Sequence, residues 1–401
     1  MSEIHHALIL NLHQPAGNLW ELHANGWEAR EILYALDRMP RSLWDFEDIG
    51  KVHLSLSGTL LETLANPDFQ KHFYGVVDCG SLLWHLQNLS IFRILGTGYY
   101  HPVLPLIPPA DQAHQLKRWR GMAEHIFNRN KFEGFWPPEM GFSMELIPLI
   151  KQLGYRYVLV DSYHVEPVSP MSWSELRYQP HIARYNDEEI IVIIRDRELS
   201  NAQESGMDIH WFEEEVKHRT KWCDFIPLVT TATDGDNGGW FRNPVLDANF
   251  WGFYQQLLMR RRSKLTKITP CFIDDYLDRF GATGEVYVHT GAWNTGWHNG
   301  KNFTQWTGSQ AQKDVLKRMQ QTSKELQQIT LLLDKQHGSQ TDMQYHIEEA
   351  RWHLLRSQTS CNIFWGEAWV PCAHKDLESC WSSLNHVKSH LELSSSPIKV
   401  E

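Results

Sequence analysis

Short apolar, β-branched runs recur along the chain at 7–11 (ALILN), 52–56 (VHLSL), 132–136 (FEGFW), 157–160 (YVLV), 190–194 (IIVII), 226–231 (IPLVTT) and 285–289 (EVYVH). Helix-like stretches separate most of them, and strands that alternate with helices imply a parallel sheet. After about residue 309 the rhythm changes. Val315, Met319, Leu326, Ile329 and Leu333 fall mostly at three- and four-residue steps, as do Leu377, Trp381, Leu384, Val387 and Leu391, a helical period. The expected organisation is α/β: a β/α barrel over 1–308, a C-terminal helical bundle over 309–393 and a disordered tail at 394–401. Between the two helical stretches lies SQTSCNIFWGEAW (357–369), placed to roof the barrel mouth.

Polar residues collect where the apolar runs end. His13 follows the first, Glu139 the third, Asp161 the fourth, Arg195 and Asp196 the fifth and Asp234 the sixth, while His289 closes the seventh. In a β/α barrel the C-terminal strand ends converge on one pocket. A doubly wound sheet also binds ligands at that edge, but with a glycine-rich phosphate loop. The segment GTGYYH (96–101) lacks the third glycine, and there is no Walker sequence.

Composition narrows the partners. The net charge is −10 and the densest basic run is Arg260-Arg261-Arg262, so nucleic acid is not an expected partner. No apolar stretch reaches membrane-span length, and the six scattered cysteines form no CxxC pair. A soluble, cytoplasmic protein with reduced thiols is expected, with a disulfide among the last three cysteines left open. Eighteen tryptophans are the unusual feature. Flat rings fill cores, but they also stack on the apolar faces of sugars. Trp136, Trp240, Trp293, Trp297, Trp306 and Trp365 lie on or beside predicted loops at the active face.

Two carboxylates stand out. Glu139 follows Pro137 and Pro138 in FWPPEMGFS, and Asp234 leaves an apolar strand into a glycine-rich turn in TTATDGDNGGWF. Each alone has a local explanation, as a helix cap or an Asx turn. Together, at the ends of different strands, they form the pair that glycoside hydrolysis needs: a proton donor, and a nucleophile or base.

These residues also carry a resemblance. LNLHQP (10–15), GTGYYHPVLPLIP (96–108), GFWPPEMGFS (134–143), RDRELSN (195–201), TDGDNGGWF (233–241) and SQTSCNIFWGEAW (357–369) occur in the order found in glycoside hydrolase family 57, which the sequence resembles over most of its length. The family includes α-amylases, amylopullulanases, branching enzymes and 4-α-glucanotransferases. The resemblance implies an incomplete seven-stranded barrel followed by a helical bundle, and a retaining mechanism on α-glucans without cofactor or metal. Glu139 would be the nucleophile and Asp234 the acid/base. His13, Gln14, His101, Trp136, Asp161, Asp236, Trp240, His289, Trp293, Trp297 and Trp365 are the expected substrate contacts. Asp236 replaces the family's usual glutamate, Arg93 stands where many members have glutamate, Asn11 replaces a histidine of some transferases, and Cys361 stands where several have aspartate.

Other classes fit less well. DGDNGG lacks the bidentate glutamate of an EF-hand. His386 and His390 share a helix face but show no third zinc ligand, which makes a solvated face the expectation. A metal-dependent polysaccharide deacetylase needs an Asp and two histidines around a metal, which the motifs do not supply. A non-catalytic glucan-binding protein with a degenerate site is the remaining alternative, motivated by Arg93 and Cys361. The sequence sets no oligomeric state.

Overall fold

The computed structural model describes residues 3–293, 302–335 and 341–395. Seven parallel strands form the central ring: β1 (Ile4–Leu12), β2 (Val52–Leu56), β3 (Phe92–Leu95), β4 (Gly134–Phe135), β5 (Tyr157–Asp161), β6 (Glu188–Arg195) and β7 (Leu228–Asp234). All nine residues of β1 are buried, as expected for a strand covered on both faces. Its neighbours are β2, with Leu8 opposite Val52, and β7, with Asn11 opposite Asp234.

Two seams complete the ring. Between β3 and β4, Gly96 donates to the Gly134 carbonyl at 2.9 Å and accepts from the Trp136 amide at 2.8 Å. A Cβ at Gly96 would run into the Tyr155 ring, so only glycine fits this seam. Between β6 and β7 there is no ladder. Instead, the Asp196 amide donates to the Thr230 carbonyl at 2.9 Å and the Arg195 guanidinium to the Ala232 carbonyl at 2.7 Å. This seam is where the barrel is incomplete.

Strand membership differs from the sequence expectation at two places. Phe92–Leu95 is a ring strand that the pattern does not announce, because it is four residues long and carries Arg93. Gly284–Val288 lies outside the ring, parallel to His181–Tyr185 and antiparallel to Val165–Pro167. Val286 and Val288 are buried while Tyr287 is exposed, the alternation of a strand with one wet face.

The bundle comprises α1 (Gln310–Lys335), α2 (Thr341–Ser357), the short α3 (Ser360–Phe364) and α4 (Val370–Ser395). Its core takes Val315, Met319, Ile329, Ile347, Leu354, Leu377 and Leu384 from the apolar stripes. Trp306 is fully buried in the same cluster and is a packing residue, not part of a sugar platform. Polar ties fasten bundle to barrel: Asp111 accepts from Gln358 at 2.6 Å and from Ser323 at 3.0 Å. All six cysteines are free. Of the tail expected at 394–401, residues 394 and 395 end α4 and 396–401 lie outside the described residues. Among the described residues no helix is long and apolar enough to cross a membrane.

Candidate active site

Glu139 sits in a tight turn just past β4, behind two prolines, with φ 58° and ψ 15°. Met140 beside it (φ 49°) and His101 across from it (φ 56°) are also left-handed without being glycine. Each such conformation costs on the order of 1 kcal/mol and persists where the surroundings fix it. Here the surroundings do so through hydrogen bonds. Trp293 donates its indole N–H to Glu139 Oε2 at 2.8 Å, and its backbone N–H to the Glu139 carbonyl at 2.9 Å. Ser360, at the start of α3, donates to Oε1 at 2.7 Å.

With the Ser360 proton given to Glu139, the Ser360 oxygen accepts from His101 Nδ1 at 3.2 Å. The His101 ring stacks on His13, with centroids 4.1 Å apart and planes 9° apart, and the Cys361 thiol lies 3.6 Å from His13 Nε2. Burial pushes both imidazoles below their ordinary range, His13 far below, so both are neutral near pH 7. Among the described residues, His13 Nδ1 and His101 Nε2 are buried without a hydrogen-bond partner.

Asp234 ends β7 and accepts from Asn11 Nδ2 of β1 at 3.0 Å, a contact that the register of the two strands dictates. Burial first, and then the charge of Asp236, push the Asp234 carboxyl up to about 8; Glu139 adds to this and the Asn11 hydrogen bond opposes it. Asp236 is fully buried, accepts from Gln14 Nε2 at 2.9 Å, and is pushed up to about 6, mainly by burial. Gln14 is held in turn by Asn18 at 2.8 Å. Burial, then the charges of Glu139 and Asp234, raise the Cys361 thiol to about 12, so both carboxylates act on one sulfur. Glu139 is thus held by neutral donors on both oxygens, and burial favours the protonated form of Asp234.

Several expected contacts have other places. Asp161 is buried between Arg195 at 2.7 Å and Arg197 at 2.6 Å. The Arg195 guanidinium lies 5.6 Å from the centroid of Trp293, so this ion-pair cluster backs the ring that holds Glu139. Trp136 is fully buried and meets Trp293 edge-on at 5.4 Å. Trp240 packs against Phe250 and Phe253, both at 5.6 Å. His289 pairs with Glu166 at 2.9 Å on the outer sheet. Trp365 is exposed beside Phe364, and Trp297 lies outside the described residues. Ser360 is not among the candidates read from the sequence, where its neighbour Cys361 figures only as a departure from the family pattern. Its only signal was its place in the motif 357–369.

A cavity of about 510 Å³ is lined by residues next in sequence to Gln14, His101, Ser360 and Cys361, though not by the two carboxylates. Its walls include Trp20, Tyr100, Trp352, Asn362 and Trp369, and Pro15, which follows Gln14 in sequence. The cavity therefore lies between the loop after β1 and the bundle.

The family model for glycosyl hydrolase family 57 matches residues 8–289, most of the chain. The chain belongs to this family. An α-amylase of Pyrococcus horikoshii is 26% identical over 297 residues, which are 69% of this chain and 40% of that relative. A 4-α-glucanotransferase of Thermococcus litoralis is 29% identical over 205 residues, 50% of this chain and 28% of the relative. The chain thus spans less than half the length of these relatives. Among solved structures, a family 57 branching enzyme of Thermococcus kodakaraensis, in complex with glucose and additives, matches with a TM-score of 0.73 at 13% identity, over 98% of this chain and 91% of that one. The T. litoralis glucanotransferase structure matches with a TM-score of 0.68 at 20% identity, over 97% and 60% respectively. At these identities the two structures establish the fold.

Proposed function

We propose that the protein is a retaining glycosidase or transglycosylase of α-glucans, with Glu139 as nucleophile and Asp234 as acid/base. One observation carries this reading: Glu139 accepts hydrogen bonds on both oxygens, from Trp293 and from Ser360. In its support, burial, the charge of Asp236 and that of Glu139 push the Asp234 carboxyl up to about 8. In the first step Glu139 attacks the anomeric carbon as the glycosidic bond breaks, and Asp234 gives its proton to the departing oxygen. The products are a glycosyl ester on Glu139 and a free sugar. In the second step Asp234, now a carboxylate, takes a proton from water or a sugar hydroxyl, whose oxygen attacks the anomeric carbon and releases Glu139. Retention requires the two carboxyl groups about 5–5.5 Å apart.

His13 Nδ1 and His101 Nε2, buried and without a partner among the described residues, are suited to sugar hydroxyls. The cavity, with Trp20, Trp352 and Trp369 in its walls, favours an acceptor that stacks, so transfer competes with hydrolysis. The deacetylase reading needs an Asp and two histidines at the barrel mouth. Among the described residues the one such group lies on the bundle.

Incubation with a single maltooligosaccharide, followed by chromatography, tests the proposal. Longer and shorter products together indicate transfer, and shorter ones alone hydrolysis. No turnover by the intact chain on any α-glucan, with binding unchanged in Glu139→Ala, would leave only the glucan-binding reading.

A further inference from the structure

The geometry points to a divalent-cation site of the zinc class on the bundle, formed by Asp342 and His346 of α2 and His386 of α4. In sequence His386 lacked a third ligand, and the fold supplies the missing ones from a different helix. Asp342 and His346 are four residues apart and so share a face of α2. One ligand atom from each of the three side chains lies within 4.8 Å of the others. His386 Nε2 is 3.8 Å from Asp342 Oδ2, and the two imidazole centroids are 4.2 Å apart.

Ligand atoms about 2.0–2.2 Å from a tetrahedral zinc stand roughly 3.4 Å from one another. The group must therefore contract by about an ångström. Side chains 54% and 75% exposed, as His386 and Asp342 are, can rotate that far without disturbing the core. His346 is already oriented from behind: its Nδ1 is 3.4 Å from Glu349 Oε2, which also accepts from Ser383 at 2.8 Å. With Nδ1 engaged by Glu349, Nε2 is the nitrogen left to bind a metal, the carboxylate–histidine–metal arrangement that raises ligand basicity. Two imidazoles and one carboxylate suit Zn²⁺, Co²⁺, Ni²⁺ or Cu²⁺ and discriminate against Ca²⁺ and Mg²⁺. A bound ion would tie the first turn of α2 to α4, with water completing the shell.

The test is calorimetric titration of ZnCl₂ into untagged, metal-stripped protein, alongside thermal unfolding with and without Zn²⁺. The intact chain should take up one Zn²⁺ with a raised melting temperature, and Co²⁺ should give d–d absorption of a low-symmetry site. His386→Ala and Asp342→Asn, both at exposed positions, should melt like the intact chain without metal. Each should lose at least about tenfold in affinity, the loss that even an outer-shell partner causes. His23 and His72, whose ring nitrogens are 2.7 Å apart, form the competing site. No Zn²⁺ uptake, or uptake abolished by His72→Ala and untouched by His386→Ala, overturns the proposal.

Discussion

Ser360 reaches across from the helical bundle to donate a 2.7 Å hydrogen bond to Glu139, 221 residues earlier in the chain. Its own backbone N–H donates to the His101 carbonyl at 3.0 Å, so one residue fixes two walls of the site. A hydrogen bond to a charged group contributes about 1.5–3 kcal/mol. If Glu139 is the nucleophile, Ser360→Ala should lower kcat by roughly ten- to a hundredfold and change KM little. Steady-state kinetics on a maltooligosaccharide check this. Glu139→Ala should abolish kcat, and a Ser360→Ala enzyme with unaltered kcat would remove the bundle from the chemistry.

Trp293 is the clearest change of role between sequence and structure. As a loop tryptophan it reads as a stacking ring whose loss raises KM. In the fold it is only 7% exposed and its indole N–H holds Glu139 Oε2. Trp293→Phe keeps most of the ring's packing against Trp136 and removes the donor. The expected result is a fall in kcat of about tenfold or more with the melting temperature nearly unchanged. A rise in KM alone would return Trp293 to the sugar platform.

If Asp234 is the acid/base, it sets the pH profile. Burial, then Asp236, then Glu139 hold its proton to about pH 8, so kcat/KM should fall as pH rises through that value. Asp236→Asn removes the neighbouring charge while its side-chain oxygen still accepts from Gln14. The basic limb should then move to lower pH, and a limb that stays in place would show that another group supplies the proton. Stability has a matching sign. Because the folded state binds the Asp234 proton more tightly than the unfolded chain does, stability falls as pH rises from the ordinary carboxylate range toward 8. Unfolding midpoints measured across that interval check the direction.

The parallel barrel, the helical bundle and the position of Glu139 and Asp234 at strand ends were legible because each rests on local pattern: buried β-branched runs, three- and four-residue steps, and acidic residues after apolar runs. What sequence could not show is which long-separated residues meet. His13 lies beside Cys361 across 348 residues, and neither position advertises the other. Strand β3 escaped because four residues with an arginine among them give no alternation, and 285–289 was over-read because its two valines look like a core strand. His289 went with that strand to the outer sheet, where Glu166 takes it. Asp161 ends its strand as the pattern predicts, but its contacts are decided by Arg195, its register partner on the adjacent strand β6, and by Arg197 two residues further on, a pairing that local pattern does not show.

Those partners set the last prediction. Asp161 is fully buried, and burial alone would raise its carboxyl; the charges of Arg195 and Arg197 outweigh this and hold it below its ordinary value. Its folded pKa is depressed, so its contribution to stability is present above the unfolded carboxylate range and is lost as pH falls through the folded value. Asp161→Ala would leave two buried guanidinium groups without their carboxylate, a loss of about 3–5 kcal/mol. Chemical denaturation should show this as a lower midpoint with an unchanged slope. Because Arg195 also lies over Trp293, whatever Asp161→Ala enzyme remains folded should lose kcat as well. Full kcat in such a variant would mean that the ion-pair cluster supports the barrel seam and not the position of Glu139.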